Sequence, residues 1–296
     1  MKYNEHNATV SVALGTFDGL HIGHRAVITA GKTEYSRRVV LMFTEHPQKH
    51  LTGVSPGELV SRKKREELLA EWGAEPYYAD FAAVCGYSPR EFFEKIIIGE
   101  LHADAAACGF NYRFGKDAGG DTDMLKELCD EYGVKLTVCD AVEYGGAPVS
   151  STRIREALRA GDICEANAML GRHYSYAFEV VHGDERGRTL GSPTINQFFT
   201  EDMTVPCFGV YASFTTVNGV RYPSVTNIGI RPTVGSSKER SETHIIGFSG
   251  DLYGTSPQVE LVRKLRDEKQ FASFDELSQR IEDDKTAALA VLAGEE

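Results

Sequence analysis

The sequence predicts two differently built parts in a chain of 296 residues: an α/β part whose parallel sheet is covered by helices, then a small antiparallel β-barrel with a terminal helix. Three observations predict this. Through the first half, short β-rich runs alternate with capped helical stretches, which is the spacing of β-α-β units. After Gly171 the chain turns to short strand-like runs with no helix between them, the pattern of a small antiparallel barrel. The end, "SFDELSQRIEDDKTAALAVLAG", reads as one helix. The boundary is placed at Arg172, giving parts 1–172 and 173–296.

In order, "ATVSVALG" is a β-rich run ending at Gly15, and "RRVVLMF" is a second strand. In "SPGELVSRKKREELLAEWG", Ser55 fits an N-cap, Pro56 the first helical position, Glu58 the far end of a capping box and Gly73 the stop. "SPREFFEKIIIG" repeats this with Ser88, Pro89, Glu91 and Gly99. "LHADAAACGF" is a strand entering a loop, "DTDMLKELCDEYG" a helix and "VKLTVCD" a strand. Two short helices follow, "STRIREALRAG" and "DICEANAMLG", the second with an Asp162–Glu165 capping pattern. The barrel strands are "SYAFEVVHG", "GVYASFTTV", "VRYPSVTNIG", "ETHIIGF" and "QVELVRKLR". Asn218-Gly219 between the second and third is a strong hairpin signal. In the last helix Ser273 and Glu276 form a capping box, and Phe274, Leu277, Ile281 and Ala288 an apolar stripe.

Composition narrows the classes. With 42% hydrophobic and 25% charged residues the chain is ordinary for a globular protein. No apolar run approaches the roughly 20 residues of a membrane span, and "MKYNEHNATVSVALG" lacks the basic start and apolar stretch of a signal peptide, so a cytoplasmic protein is expected. Net charge is −11, which argues against a wide nucleic-acid surface. The run "RKKRE" is a candidate basic patch or a solvated helix face. None of the 6 cysteines forms a C-x-x-C pair, so they are expected to be buried small apolar residues.

The most informative stretch is "GTFDGLHIGH", placed where the first strand passes into the first helix. In open α/β sheets ligands bind at the carboxyl ends of strands. Gly15, Gly19 and Gly23 allow close approach of backbone to a phosphate, and a helix N-terminus favours anions. His21 and His24, three apart, share a face and can donate to triphosphate oxygens as charge moves onto leaving pyrophosphate, so H-x-G-H reads as an adenylyl-transfer device. Gly15, Phe17 and Asp18 join them as nucleotide-binding candidates. "VSSTRIREAL" supplies Ser150, Ser151 and Thr152 as hydroxyl donors with Arg153 and Arg155 as fixed cations. "GFNYRFGKDAGGD" carries Asn111, Arg113 and Lys116 in a Gly-rich loop after a strand. In the second part "VVHGDERGRTLGSPTINQF" offers Gly183 and Arg188 for phosphates, while Thr194 and Asn196 point to one side of an extended segment as neutral oxygen ligands suited to Mg²⁺ with ATP. Glu242 opens a strand and matters if a hydroxyl must lose its proton.

In order and spacing these stretches, with "FGVYA", "NIGIRPT", "ETHIIGFSGDLYG" and "LRDEKQFASFDEL", resemble the bifunctional bacterial riboflavin kinase/FAD synthetase family over essentially the whole chain. The resemblance implies a Rossmann-like nucleotidyltransferase domain that joins FMN to AMP from ATP, giving FAD and pyrophosphate, and a barrel domain that phosphorylates riboflavin to FMN. It implies ATP-phosphate roles for His21 and His24, a nearby loop residue in Asn111, a phosphate-binding motif in Ser151, Thr152 and Arg155, Mg²⁺-ATP ligands in Thr194 and Asn196, a general base in Glu242 and a flavin-proximal position at Arg266. The substrates would be riboflavin, FMN and ATP, with no nucleic acid or membrane partner. Three motifs depart from the family pattern: "PTIN" for P-T-A-N, "GSPT" for G-F-P-T and "FTEHP" for F-x-P-H-P. Ile195 should point opposite to Thr194 and Asn196, leaving both ligands in place. The alternatives are a chain with only one active domain, a flavin-binding regulator and an adenylyltransferase with another acceptor.

Overall fold

The computed structural model describes residues 9–30, 36–182, 194–233, 236–271 and 273–295. The chain divides into two compact units, Met1–Ser151 and Thr152–Glu296.

The first unit is built on a five-stranded, all-parallel sheet: β1 (Val10–Leu14), β2 (Arg37–Phe43), β3 (Glu75–Ala79), β4 (Ala105–Gly109) and β5 (Lys135–Cys139), in the order β3-β2-β1-β4-β5. All five residues of β1 are buried, as a central parallel strand covered on both faces requires. Its Val12 and Leu14 enter one apolar cluster with Phe93, Ile97 and Leu125. Ala13 enters another with Phe17, Leu20, Leu69 and Trp72. The helices are α1 (Ile22–Thr29), α2 (Pro47–Thr52), α3 (Arg62–Glu71), α4 (Phe81–Val84), α5 (Pro89–Phe92, continuing as a π-helix over Phe93–Glu100) and α6 (Thr122–Tyr132). The strand order reverses between β1 and β4, the position at which open α/β sheets bind ligands.

Three local expectations are corrected here, and one open alternative is decided. The capping box at Ser55 and Glu58 does not form. Gly57 takes φ +91, breaking helical continuity, and α3 starts six residues later with Ser61 as its N-cap, accepting from the Lys64 N–H at 3.3 Å. Gly99 is not a helix stop but lies inside the π-helix; the Ser88–Glu91 capping box at the other end does form. "RKKRE" is a solvated helix face rather than a basic patch, with Arg62, Lys63 and Glu66 exposed and Arg62 and Lys64 each meeting a carboxylate, except that Arg65 turns inward toward Glu58. Of the cysteines only Cys108 and Cys129 are buried. Burial pushes these two thiols up, to about 12 and about 11.

The second unit begins with α7 (Ser151–Ala160, its first residue in the first unit) and α8 (Ile163–Leu170). These helices stay with the barrel because Asn167 of α8 donates to the Leu261 carbonyl at 2.8 Å and accepts from the Tyr174 N–H at 2.7 Å. Numbered on from a short two-stranded hairpin of the first unit, β6 (Glu143–Tyr144) and β7 (Ala147–Pro148), the six antiparallel strands are β8 (Tyr174–Ala177), β9 (Thr194–Phe198), β10 (Gly209–Val217), β11 (Val220–Thr233), β12 (Ser236–Ile245) and β13 (Gln258–Arg266), in the order β8-β13-β10-β11-β12-β9. The sheet curls until Val181, just beyond β8, bridges Asn196 on the opposite edge strand. The β10–β11 hairpin turns on Asn218 and Gly219 with φ of +49 and +81, the backbone a tight two-residue hairpin demands.

Nearly every residue of β10 is buried. Its Ala212 and Phe214 pack with Val262, Ala288 and Leu292 under the terminal helix α9 (Phe274–Leu292). The opposite face is polar: Ser213, Thr215, Ser224, Thr226, Ser241 and Thr243 are all fully buried. Thr226 shares its hydroxyl with Ser213 at 2.8 Å and Thr243 at 2.9 Å, and Ser224 donates to Thr215 at 2.8 Å. Each such group left unpaired would cost about 1–3 kcal/mol. At the start of α9 Ser273 caps the Glu276 N–H at 3.2 Å, and the Glu276 carboxylate pairs with Lys269 at 2.9 Å. The stripe of α9 contains a charge the apolar pattern does not foresee, Asp284, which is buried.

Candidate functional site

The loop from Gly15 to Leu20 leaves β1 at its carboxyl end. Phe17 and Leu20 are buried yet hold φ of +50 and +44, a backbone that costs roughly 1–3 kcal/mol per residue and gathers at functional sites. Gly19 has φ +82, and a Cβ there would come within 2.8 Å of Leu59. His21 is the N-cap of α1, its Nδ1 accepting from the His24 N–H at 3.2 Å. An accepting Nδ1 carries no proton, so the neutral ring holds its hydrogen on Nε2. The His21 and His24 rings stack with centroids 3.5 Å apart and 17° between planes, and Phe17 meets His24 edge-on at 5.3 Å. A Cβ on Gly23 would lie 3.1 Å from the His21 ring. The two imidazoles therefore share one face, as their spacing predicts.

Ser151, the first residue of α7, donates its hydroxyl to the Asp18 carbonyl at 2.7 Å. Segments 133 residues apart thus meet at one loop. Arg155 lies four residues on, on the same face of α7, and is buried; Thr152 is exposed. Arg153 pairs with Glu165 at 3.1 Å. Asn111 follows the carboxyl end of β4, which pairs with β1 up to Leu14 and Cys108. Beyond it the chain closes a loop between Phe114 and Gly120 by mutual backbone hydrogen bonds, at 3.1 and 2.9 Å. Arg113 faces Asp121 at 3.6 Å. Asn111 is exposed.

Sequence reasoning passed over two residues beside this loop. His46 is the N-cap of α2, its Nδ1 accepting from Gln48, while its Nε2 lies 3.8 Å from the Asp18 carboxylate. Arg65 is buried, 3.8 Å from Glu58. Together with Asp18, Phe43 and Glu58 they line one small open cleft. The signal for His46 was the surviving His-Pro of "FTEHP"; Arg65 was hidden inside a run that reads as solvated.

In the second unit the ladder decides. Strand β9 pairs with β12 so that Asn196 lies opposite Glu242, Thr194 opposite His244 and Phe198 opposite Arg240. Directly opposed residues share a face, so these six point to one side. Ile195 and Gln197, opposite Thr243 and Ser241, point to the other, and Ile195 packs in an apolar cluster with Val180, Val217 and Ile245. Across β11, Asn227 lies opposite Glu242 and Gly229 opposite Arg240. Asn196 is 7% exposed and its Oδ1 has no hydrogen-bond partner. Glu242 Oε1 is paired with Arg240 Nη2 at 2.7 Å. Asn227 donates to Glu268 at 3.3 Å, and Glu268 fills the space above Gly229, where a Cβ would collide with its carboxylate.

Arg266 is engaged differently from a free flavin contact. Its guanidinium grips Asp284 of α9, with Nε at 3.0 and 3.1 Å from the two carboxylate oxygens and Nη2 at 2.7 Å from one of them, and Nη1 donates to the Asp267 carbonyl at 3.0 Å. Gly183, Arg188 and Ser192 lie outside the described residues. No helix among the described residues is long and apolar enough to cross a membrane.

Comparisons with known proteins agree with the two-part layout. Residues 3–153 match the family model of FAD synthetase, and residues 170–292 that of riboflavin kinase. The chain is 34% identical to the bifunctional riboflavin kinase/FMN adenylyltransferase of Escherichia coli K12, over 94% of this chain and 91% of that one. It is 33% identical to the Bacillus subtilis protein of that description, over 96% and 93%. A crystal structure from Streptococcus pneumoniae, described as a macrolide-efflux protein, superposes with a TM-score of 0.88 at 30% identity, covering 95% of this chain and 94% of the other. The chain belongs to the bifunctional riboflavin kinase/FMN adenylyltransferase family, with its FAD synthetase part at the N-terminus and its riboflavin kinase part at the C-terminus.

Proposed function

We propose that the two activities of the family are divided between the two sites as follows. At the loop after β1, the FMN phosphate attacks the α-phosphorus of ATP, one P–O bond forms, and the bond to pyrophosphate breaks. The attacking phosphate is already an anion, so no base is needed; the reaction calls for alignment and charge stabilisation. His21 supplies Nε2–H, because its Nδ1 is committed to the helix cap, and the stacked His24 stands beside it. Gly15, Phe17 and Asp18 shape the loop that carries them. Asn111, Arg113, Ser151, Thr152 and Arg155 complete the nucleotide contacts, with the Ser151–Asp18 hydrogen bond as the observation that carries this half of the reading.

On the outer face of β9 and β12, Glu242 accepts the proton of the terminal ribityl hydroxyl as that oxygen attacks the γ-phosphorus of a second ATP, and ADP leaves. The register that sets Glu242 opposite Asn196 supports this half. Thr194 and Asn196 are the protein ligands we assign to Mg²⁺. The fit rests on Asn196 Oδ1, a buried oxygen lacking a donor, of the neutral kind a hard cation accepts. Bound with ATP, the metal would offset the negative charge of the β- and γ-phosphates. Gly183 and Arg188 belong to the same nucleotide site. Arg266, anchored by Asp284, shapes the flavin end through its fixed position. The functional boundary is kept at Arg172, with riboflavin, FMN and ATP as substrates, no nucleic-acid or membrane partner, and the cytoplasm as the location.

Purified protein given riboflavin, ATP and Mg²⁺ should yield FMN and then FAD by chromatography. The His21→Ala/His24→Ala variant should stop at FMN. Glu242→Gln should still convert supplied FMN to FAD while riboflavin phosphorylation falls by about 10²–10⁴. Wild-type phosphorylation by the Glu242 variant refutes the base assignment, and normal FAD formation by the double histidine variant refutes the first.

A further inference from the structure

Arg240 holds a place in the kinase face that no motif assigns. It sits two residues before Glu242, so the pleat puts both side chains on one side of β12. Its Nη2 touches Glu242 Oε1 at 2.7 Å, and its side chain is only 16% exposed. An exposed ion pair of this kind would mean little. This one differs in its other nitrogen: Nη1 is buried and has no hydrogen-bond acceptor. An unmatched buried donor is costly to keep, so a group that completes it when substrate binds is the economical explanation. The rung around Arg240 leaves Nη1 unmatched: its neighbour across β9 is Phe198, which offers no acceptor, and the Glu268 carboxylate that lies over Gly229 across β11 does not bond to it.

We propose that Arg240 is a second catalytic residue of riboflavin phosphorylation, bridging Glu242 through Nη2 and an oxygen of the transferred γ-phosphoryl group through Nη1. This rests on the reading of Glu242 as the base. Before reaction the guanidinium holds the carboxylate in one orientation. As the ribityl hydroxyl gives its proton to Glu242, the carboxylate becomes neutral and the arginine loses its ionic partner. At that moment the oxygen–phosphorus bond to the ribityl chain is forming, the bond to ADP is breaking, and negative charge sits on the equatorial phosphoryl oxygens. The cation released from one anion is already against the other. The two-ended planar fork does this without moving, which a lysine ammonium cannot reproduce.

The test compares Arg240→Met, Arg240→Lys and Glu242→Gln, each alone, and the Arg240→Met/Glu242→Gln double variant. Riboflavin phosphorylation is followed in steady state, FMN adenylylation serves as an internal measure of enzyme concentration, and circular dichroism reports the barrel. For Arg240→Met, kcat should fall about 10²–10³-fold, the scale of losing one transition-state donor, while KM for ATP and for riboflavin stays within about threefold. Low millimolar guanidinium should restore part of the loss. Arg240→Lys should sit between Met and wild type. Because Nη1 acts on the phosphoryl group independently of the base, the double variant should be slower than Glu242→Gln alone by about tenfold. A wild-type kcat for Arg240→Met, or a change confined to KM, overturns the proposal, as does a double variant no slower than Glu242→Gln. If Arg240→Met loses the barrel fold by circular dichroism, Arg240→Lys decides: wild-type kcat there overturns it equally. An active Glu242→Gln beside an inactive Arg240→Met would remove the base reading and leave the arginine; the reverse removes the arginine only.

Discussion

In the first unit the candidate groups sit on loops leaving the carboxyl ends of β1 and β4. In the second they sit in mid-strand, on one face of the β9–β12 ladder. The first site is assembled from strained backbone, with Phe17 and Leu20 at positive φ and two histidines locked by a helix cap and a ring stack. The second is assembled from register, with Asn196, Glu242 and Asn227 aligned across three strands. Both are the sites we assign to ATP chemistry. A loop site concentrates its residues in one string of sequence, whereas a ladder site scatters them and relies on strand pairing to bring them together. Their supports differ in the same way: an apolar core under the loops, and a buried hydroxyl network on the inner side of the ladder.

That contrast can be tested, starting with the largest effect. Asp284→Ala strands the Arg266 guanidinium beside an empty place. Breaking a buried pair from one side costs about 3–5 kcal/mol, so the urea midpoint for loss of riboflavin phosphorylation should drop sharply while FAD formation from supplied FMN persists. Equal loss of both activities would mean that the units do not fail separately. Thr226→Val leaves Ser213 and Thr243 without their shared partner and should cost the barrel about 2 kcal/mol in urea unfolding; an unchanged midpoint would show that the network sets geometry rather than stability.

Alkali should separate the units next. Burial raises the folded thiols of Cys108 and Cys129 above their ordinary value of 9.0. In the second unit burial raises the phenols of Tyr174, Tyr176 and Tyr211 above 10.0. These groups stay protonated when folded and ionise when unfolded, so stability is intact below the ordinary value and declines as pH rises past it. The first unit should begin losing about 1 kcal/mol per thiol by pH 10, before its partner does. Cys108→Ala/Cys129→Ala should remove that early decline; if the decline remains, other groups cause it. The smallest effect is expected from Ser151→Ala. One lost hydrogen bond of about 1 kcal/mol should lower kcat/KM for FMN adenylylation roughly fivefold and leave riboflavin kinase untouched. No change would detach α7 from the adenylylation site.

The two sites were unequally legible in the sequence. "GTFDGLHIGH" could be read directly because turn glycines, a helix start and both histidines are local features, and the structure keeps them together. The opposed faces of Thr194, Asn196 and Ile195 followed from the period of two. What pairs with what did not: Arg240 beside Glu242 and Asn196 across from it depend on register, which one strand cannot disclose. Asp284 was invisible because a charge in an apolar stripe makes sense only once Arg266 is placed against it. The helix expected from Ser55 failed at Gly57, where a local capping pattern yielded to a left-handed turn that seats Leu59 against Gly19.

The hydroxyls inside the barrel also bear on how the strands find one another. An apolar interior tolerates many alignments, since any methyl group satisfies any other. Here Thr226 must reach both Ser213 and Thr243, and a slip of one residue along β11 would send it outward and bring Asn227 into the interior. Misaligned pairings are thus penalised during assembly, before any substrate is present. The same check that rejects a wrong pairing places Glu242 opposite Asn196, so fidelity of folding also sets the geometry of the face we assign to phosphoryl transfer.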